Sequence, residues 1–181
     1  MNRPSLYEQA LGTDYAQLPP AVRRFHRLSG RVVLRGHVET RAPASRLAAC
    51  LARLLGTPRR DGAGALRFEL AASPAAETWT RHFPAQTMTS RMTLEDGRLV
   101  ERLGPARLSF GLTASPSGLR MRLDGLRFLG IPCPSRWMPQ IVAEETGVGD
   151  HLHFDVSATL PLVGVVAGYR GHLALQSGES S

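Results

Sequence analysis

Residues 87–128, TMTSRMTLEDGRLVERLGPARLSFGLTASPSGLRMRLDGLRF, read as two consecutive β-hairpins, and that reading decides the fold. In the second hairpin Leu108, Phe110 and Leu112 alternate with Arg107, Ser109 and Gly111. On its return Leu119, Met121 and Leu123 alternate with Arg120, Arg122 and Asp124. The turn Ser115-Pro116-Ser117-Gly118 pairs Leu112 with Met121 and Phe110 with Leu123, so both strands bury the same face. In the first hairpin Asp96-Gly97 is a two-residue turn of the type that needs positive φ. It sets Leu94 beside Leu99 and Met92 beside Glu101. At Asp124-Gly125 the alternation breaks, and Leu126 and Phe128 resume one step out of phase, which predicts a bulge that bends the sheet. The stretch therefore predicts an antiparallel sheet with one apolar face.

The rest of the chain extends that sheet. Ser5-Leu6-Tyr7-Glu8 fits a capping box that opens a short helix ending near Gly12. Pro19-Pro20 opens a second helix with Val22 and Phe25 on its inner side. Period-two patterns mark strands at 31–40, at Leu66–Leu70, at Thr78–Phe83, at Ile141–Thr146, at Leu152–Val156 and from Val163. Between the first two lies the clearest helix, Ala44–Leu55, whose Leu47, Cys50, Leu51, Leu54 and Leu55 make one apolar stripe, so Cys50 is expected in the core. Thr57–Gly64 reads as a polar loop and Gly130–Pro139 as an apolar, proline-punctuated one. The expected architecture is α+β: a long, strongly curved antiparallel sheet, a half-open barrel, wrapped around that one main helix and preceded by a short helical preface. One domain spans 1–181, with 1–4 and 176–181 as flexible ends.

Composition excludes several chemistries. All 22 basic residues are arginine, and there is no lysine to form a Schiff base, a phosphate loop or a Ser–Lys dyad. The formal net charge of +7 permits contact with anionic partners. No basic run is interleaved with aromatics, so no nucleic-acid partner is expected. Cys50 and Cys133 are far apart and lack metal or redox spacing. There is no nucleophile elbow of the G-x-S-x-G type, and no apolar leader or spanning run, so a cytoplasmic protein, peripheral to membranes at most, is expected. An enzyme is not the favoured class.

Several short motifs occur in order along nearly the whole chain. They are SLYE (5–8) with LPPAVRRFH (18–26), ETWTRHF (77–83), RLVERLGP (98–105), LGIPCP (129–134), HFDVSATLPLVG (153–164) and YRGHL (169–173). Together they resemble a bacterial family of domains of unknown function, number 4166. The resemblance implies a domain found alone or joined to saccharopine-dehydrogenase-like nucleotide-binding domains or membrane segments, with no catalytic set to carry over. No G-x-G-x-x-G follows a strand in this chain, so a redox role by association is not expected.

Two constellations carry the functional reading. Trp79, Arg81 and Phe83 share one strand face, and Glu101 points inward beside Met92. Charges on an apolar face cost several kcal/mol each unless paired. Either Arg81 and Glu101 form a structural bridge, or a bulge turns one outward, or they make the polar end of a ligand pocket. In the last case Arg81 holds an anionic head group, Trp79 covers its apolar part, and Phe83, Met92 and Met121 line the remainder. Ile131, Trp137 and Met138 then form an apolar rim that meets a ligand, a partner protein or a membrane surface. His151, His153 and Asp155 alternate on one strand face; that is the pattern of an outward polar face, and no metal or cofactor is expected. Glu144 and Glu145 are adjacent on a strand and point to opposite faces, which argues against a shared carboxylate site. The function expected is a non-enzymatic module binding a small apolar or amphipathic, lipid-like molecule. The alternative is an interaction domain docking through its apolar loops.

Overall fold

In the computed structural model, which describes residues 4–175, the meander continues until it meets itself. Its strands are β1 (Gly30–Arg41), β2 (Gly62–Ala72), β3 (Ala76–His82), β4 (Thr87–Glu95), β5 (Arg98–Leu103), β6 (Ala106–Ser115), β7 (Gly118–Phe128), β8 (Ile131–Pro132), β9 (Gln140–Val148), β10 (His151–Leu160) and β11 (Gly164–Ala174). All pairings are antiparallel. The hairpin registers are those read from the sequence: Met92 faces Glu101, Leu94 faces Leu99, Phe110 faces Leu123 and Leu112 faces Met121. Asp96 and Gly97 have φ of 50° and 73°, as that turn requires. The register slips where Ser109 pairs Gly125 while Phe110 pairs Leu123, which leaves Asp124 as the bulge.

The expected half-open barrel is closed. β7 pairs with β6 along its length and with β9 through Leu119–Arg122, while β11 returns to pair with β1 from Arg35 to Arg41. Ten strands form the ring and the two-residue β8 hangs from β7. Closure satisfies the N–H and C=O groups that an open sheet leaves along its edges. The architecture is mainly β.

The expected central helix is also corrected. Helix α3 (Arg46–Leu55) is capped by Ser45 Oγ, which accepts from Ala48 N, and is closed by Gly56 at φ 71°. Only Ala48 and Ala52 of this helix are buried, whereas Leu47 and Leu54 are 58% and 53% exposed and Cys50 is exposed rather than in the core. A helix with side chains is about 10 Å across. The interior is taken up by inward strand side chains such as Leu66, Phe68, Trp79 and Phe110, so α3 rests against β11 at the barrel's edge, with Leu51 and Leu55 on the space at its open end. The loop after it is less polar than expected: Thr57 and Pro58 are buried and β2 already begins at Gly62.

The helical preface takes the role assigned to α3. Helices α1 (Leu6–Leu11) and α2 (Pro20–His26), joined by a 3-10 turn over Gly12–Gln17, plug one end of the barrel. The capping box at Ser5 is present in both directions, with Ser5 Oγ accepting from Glu8 N and Glu8 accepting from Ser5 N. Leu6, Tyr7 and Val22 are fully buried, as nearly is Phe25. At the opposite end, α3, the β3–β4 turn, the β7–β9 segment and the β10–β11 turn surround a mouth. Ser45 Oγ donates to Val163 O, Gln86 Nε2 donates to Gly56 O, and Leu129 N donates to Pro105 O there. The expected flexible tail, 176–181, and residues 1–3 lie outside the described residues.

Candidate functional site

Strand alternation on β3 sends Glu77, Trp79 and Arg81 into the barrel and leaves Thr78, Thr80 and His82 on its wall side. The neighbouring β4 contributes Met88, Ser90 and Met92, and β5 contributes Glu101. Trp79, Arg81, Met92 and Glu101 line an inner space, and Met88 and Glu101 line an adjacent outer one. The inner one, about 70 Å³, is floored by Phe25 of the plug and lined by Trp79, Arg81, Phe83, Met92, Glu101 and Met121, among others. All six residues expected to bind a ligand are thus brought to one chamber.

The outer space is larger, about 480 Å³, overwhelmingly apolar, and opens at the mouth. Leu51 and Leu55 of α3, Leu126, Phe128, Ile131 and Trp137 help to wall it. Of the three expected rim residues, Ile131 and Trp137 are placed on this chamber, while Met138 is half-buried against the core. Glu101, Ile141, Val156 and Tyr169 line both spaces and stand at the boundary between them.

Polar groups descend the barrel axis toward the plug. Arg81 is 7% exposed, donates from Nη1 to Ser90 Oγ at 3.1 Å, and stacks its guanidinium over Trp79 at 4.9 Å. Of the alternatives for this pair, the structural bridge between Arg81 and Glu101 is not formed: among the described residues neither makes an ion pair. At the floor Trp79 Nε1 donates to Glu77 Oε2 at 2.9 Å, and burial pushes the Glu77 carboxyl above its usual range. His26 Nε2 lies 2.6 Å from Glu145 Oε2, both residues buried, which ties α2 to β9. The His26 ring stacks on Tyr7 at 3.6 Å, and its Nδ1 has no hydrogen-bond partner. Burial raises the Tyr7 hydroxyl well above the usual tyrosine range, reinforced by Glu145, Glu77 and Glu101. Burial likewise raises Tyr169, which lies close enough to Arg81 and Glu101 to feel both charges.

Tyr7, His26, Glu77, Glu145, Ser90 and Tyr169 are not among the site residues expected from the sequence. For Glu77 the signal existed, because the alternation that turns Arg81 inward turns Glu77 inward too. His26 follows Val22 by one helical turn and so shares its buried face. The opposed faces of Glu144 and Glu145 are as expected: Glu145 faces in, and Glu144 lies outside against Arg120. His151 and His153 gather with His172 and His37 on the outer wall, ring centroids 5.4–6.5 Å apart, while Asp155 pairs across from Arg170 instead. Among the described residues no cluster of three or more His, Cys, Asp or Glu is arranged to hold a metal ion. No helix among them is long and apolar enough to cross a membrane.

Among solved structures, the crystal structure of Rv2717c from M. tuberculosis aligns at 13% identity and a TM-score of 0.47, covering 88% of this chain and 99% of that one. No curated protein matches the chain. The sequence pattern of the family described as "Domain of unknown function (DUF4166)" matches residues 18–173, from the approach to α2 through nearly the whole of β11. Since that match takes in the second plug helix, α3 and the barrel strands that carry Arg81, Glu101 and Glu145, this chain belongs to the DUF4166 family.

Proposed function

We propose that the barrel binds a small amphipathic, lipid-like molecule, its polar end inward against Arg81, Glu101 and Tyr169 and its apolar part in the outer chamber. The observation that carries this reading is a buried guanidinium, without an ion-pair partner among the described residues, on an inner space of about 70 Å³ that shares Glu101, Ile141, Val156 and Tyr169 with an apolar outer space of about 480 Å³. Apolar spaces of a few hundred Å³ with a few convergent polar groups are the usual form of a small-molecule site. An unpaired buried arginine is costly to the empty protein and is relieved by an anionic head group, which a guanidinium grips with two parallel N–H bonds. Tyr169 Oη, kept protonated by burial, supplies a further donor at that boundary.

The test is native mass spectrometry and saturation binding of a fluorescent long-chain fatty acid, with wild type beside Arg81→Met. The expected result is stoichiometric binding by wild type and at least tenfold weaker binding by the variant. The variant should melt no lower, because an unpaired buried charge is replaced by an apolar side chain of similar length. A wild-type protein that carries no adduct and shows no saturable uptake ends the proposal. So does a variant that binds as well as wild type.

A further inference from the structure

Among the described residues eight large hydrophobic side chains are conspicuously exposed, and six of them lie at the mouth. Leu47 and Leu54 are on α3, Leu129, Ile131 and Trp137 are on the β7–β9 segment, and Leu162 is at the tip of the β10–β11 turn. The other two are Val33 on the wall and Val148 at the plugged end. Two of the mouth leucines pay a conformational penalty to be there. Leu129 has φ 51° and is 72% exposed, and Leu162 has φ 64° and is 95% exposed. Left-handed backbone at a turn tip ordinarily calls for Gly, Asn or Asp, and a γ-branched apolar residue gains nothing locally by adopting it. Strain held at an exposed position points to a use for the side chain outside the fold.

Charge is partitioned the same way. On the wall most arginines are neutralised by neighbours, as Arg170 is by Glu39, Arg107 by Glu95 and Arg120 by Glu144, while Arg31, Arg35 and Arg91 make no ion pair among the described residues. Around the mouth lie Arg41 at the end of β1, Arg46 and Arg53 on α3, and Arg59 and Arg60 just beyond it. Arg127 and Arg136 flank the β8 segment. All seven are exposed, and among the described residues none makes an ion pair. Asp61, which accepts from Ala42 N, is the one acidic residue in residues 41–61, 127–139 and 160–164. The turns at the plugged end instead mix arginines with Glu8, Asp14, Asp96 and Asp150.

We infer that the mouth docks on an anionic phospholipid surface, with Leu129, Ile131, Trp137 and Leu162 inserted among the acyl chains and the surrounding arginines on the phosphates. Protruding loop tips around an opening suit a deformable surface, where each side chain finds its own depth. Unpaired guanidiniums above an apolar layer match phosphate over acyl chain. That the surface also delivers the barrel's guest rests on the amphipathic-ligand reading; the docking itself does not.

The experiment is co-sedimentation of the full chain with vesicles of phosphatidylcholine containing about a third phosphatidylglycerol, against phosphatidylcholine alone. Wild type is compared with the Leu129→Asn, Leu162→Asn double variant, and bound fatty-acid probe is measured on both. Asparagine accepts left-handed backbone, so the variant should melt no lower than wild type, which separates lost docking from lost fold. The expected result is salt-sensitive binding to the anionic vesicles only, weakened at least tenfold in the variant, with probe affinity unchanged. Equal binding to both vesicle types, or a double variant that binds like wild type, overturns the inference. Light scattering that shows a dimer dispersed by the same variant also overturns it, since a second copy then covers the patch. Vesicle binding by a protein that takes up no probe supports docking while ending the ligand reading, and probe uptake without vesicle binding does the reverse.

Discussion

Glu77 shows how one buried group makes stability depend on pH. Its carboxyl accepts the Trp79 indole N–H, but desolvation outweighs that bond and the attraction of His26, so its folded value lies above the unfolded one. A raised carboxyl favours the protonated form in the folded state. Its contribution is therefore complete below the ordinary glutamate value, about 4.3, and is lost as pH rises through the folded value. Glu77→Gln keeps an acceptor for Trp79 and removes the ionisation. The gap in urea midpoint between variant and wild type should move in the variant's favour between about pH 4 and pH 8. Parallel profiles would show that the carboxyl is not desolvated as the packing implies. Residue-scale features were partly legible in the sequence. Arg81 and Glu77 follow from strand alternation alone, whereas the Glu145–His26 contact joins positions 119 apart and follows from no local pattern.

Elements were legible where periodicity is local. The two hairpins and the Asp124 bulge are written in alternation and turn chemistry, and the structure has them in the expected register. Closure is different, because it depends on which distant strand β11 meets. There the residue that decides is a glycine with no turn to explain it. A Cβ placed on Gly171 would lie 2.0 Å from His37 O and 2.9 Å from Val38 Cα, and one on Gly36 would lie 1.8 Å from His172 O. Both obstacles are backbone, so neither can step aside, and the β1–β11 seam closes only with glycine at these sites. Gly171→Ala should cost at least about 2 kcal/mol in urea unfolding. Gly125→Ala, whose nearest neighbour is Ser109 Cβ at 3.7 Å, should cost less than about 1 kcal/mol. Similar costs at the two sites would mean that the seam is looser than its close contacts imply. The apolar stripe of α3 misled for a related reason: amphipathicity says that a helix covers something apolar, not which side of a sheet it lies on.

At the scale of the whole molecule, the barrel and its plug are one stability unit. Ten strands around a lumen enclose more space than their inward side chains fill at the end where β1 begins, and α1 and α2 supply the difference. Leu6, Tyr7, Val22 and Phe25 pass from water to burial in doing so. At roughly 1.5–3 kcal/mol for each such side chain, the four contribute about 6–12 kcal/mol. A domain's whole stability is about 5–15 kcal/mol. Removing the plug also strips Glu145 of His26 and leaves a buried carboxylate without its partner. A chain beginning at Ser29 should therefore lose cooperative unfolding rather than melt a few degrees lower. Trp79 reports this directly, since Phe25 and Phe68 pack edge-on against its ring at 5.6 and 5.4 Å. With Trp137→Phe to remove the exposed indole, Trp79 is the single tryptophan, and its emission should be blue-shifted in the full chain and red-shifted after truncation. A truncated chain that kept a blue-shifted, sharply melting Trp79 would show that the ring of strands holds its interior dry without the plug.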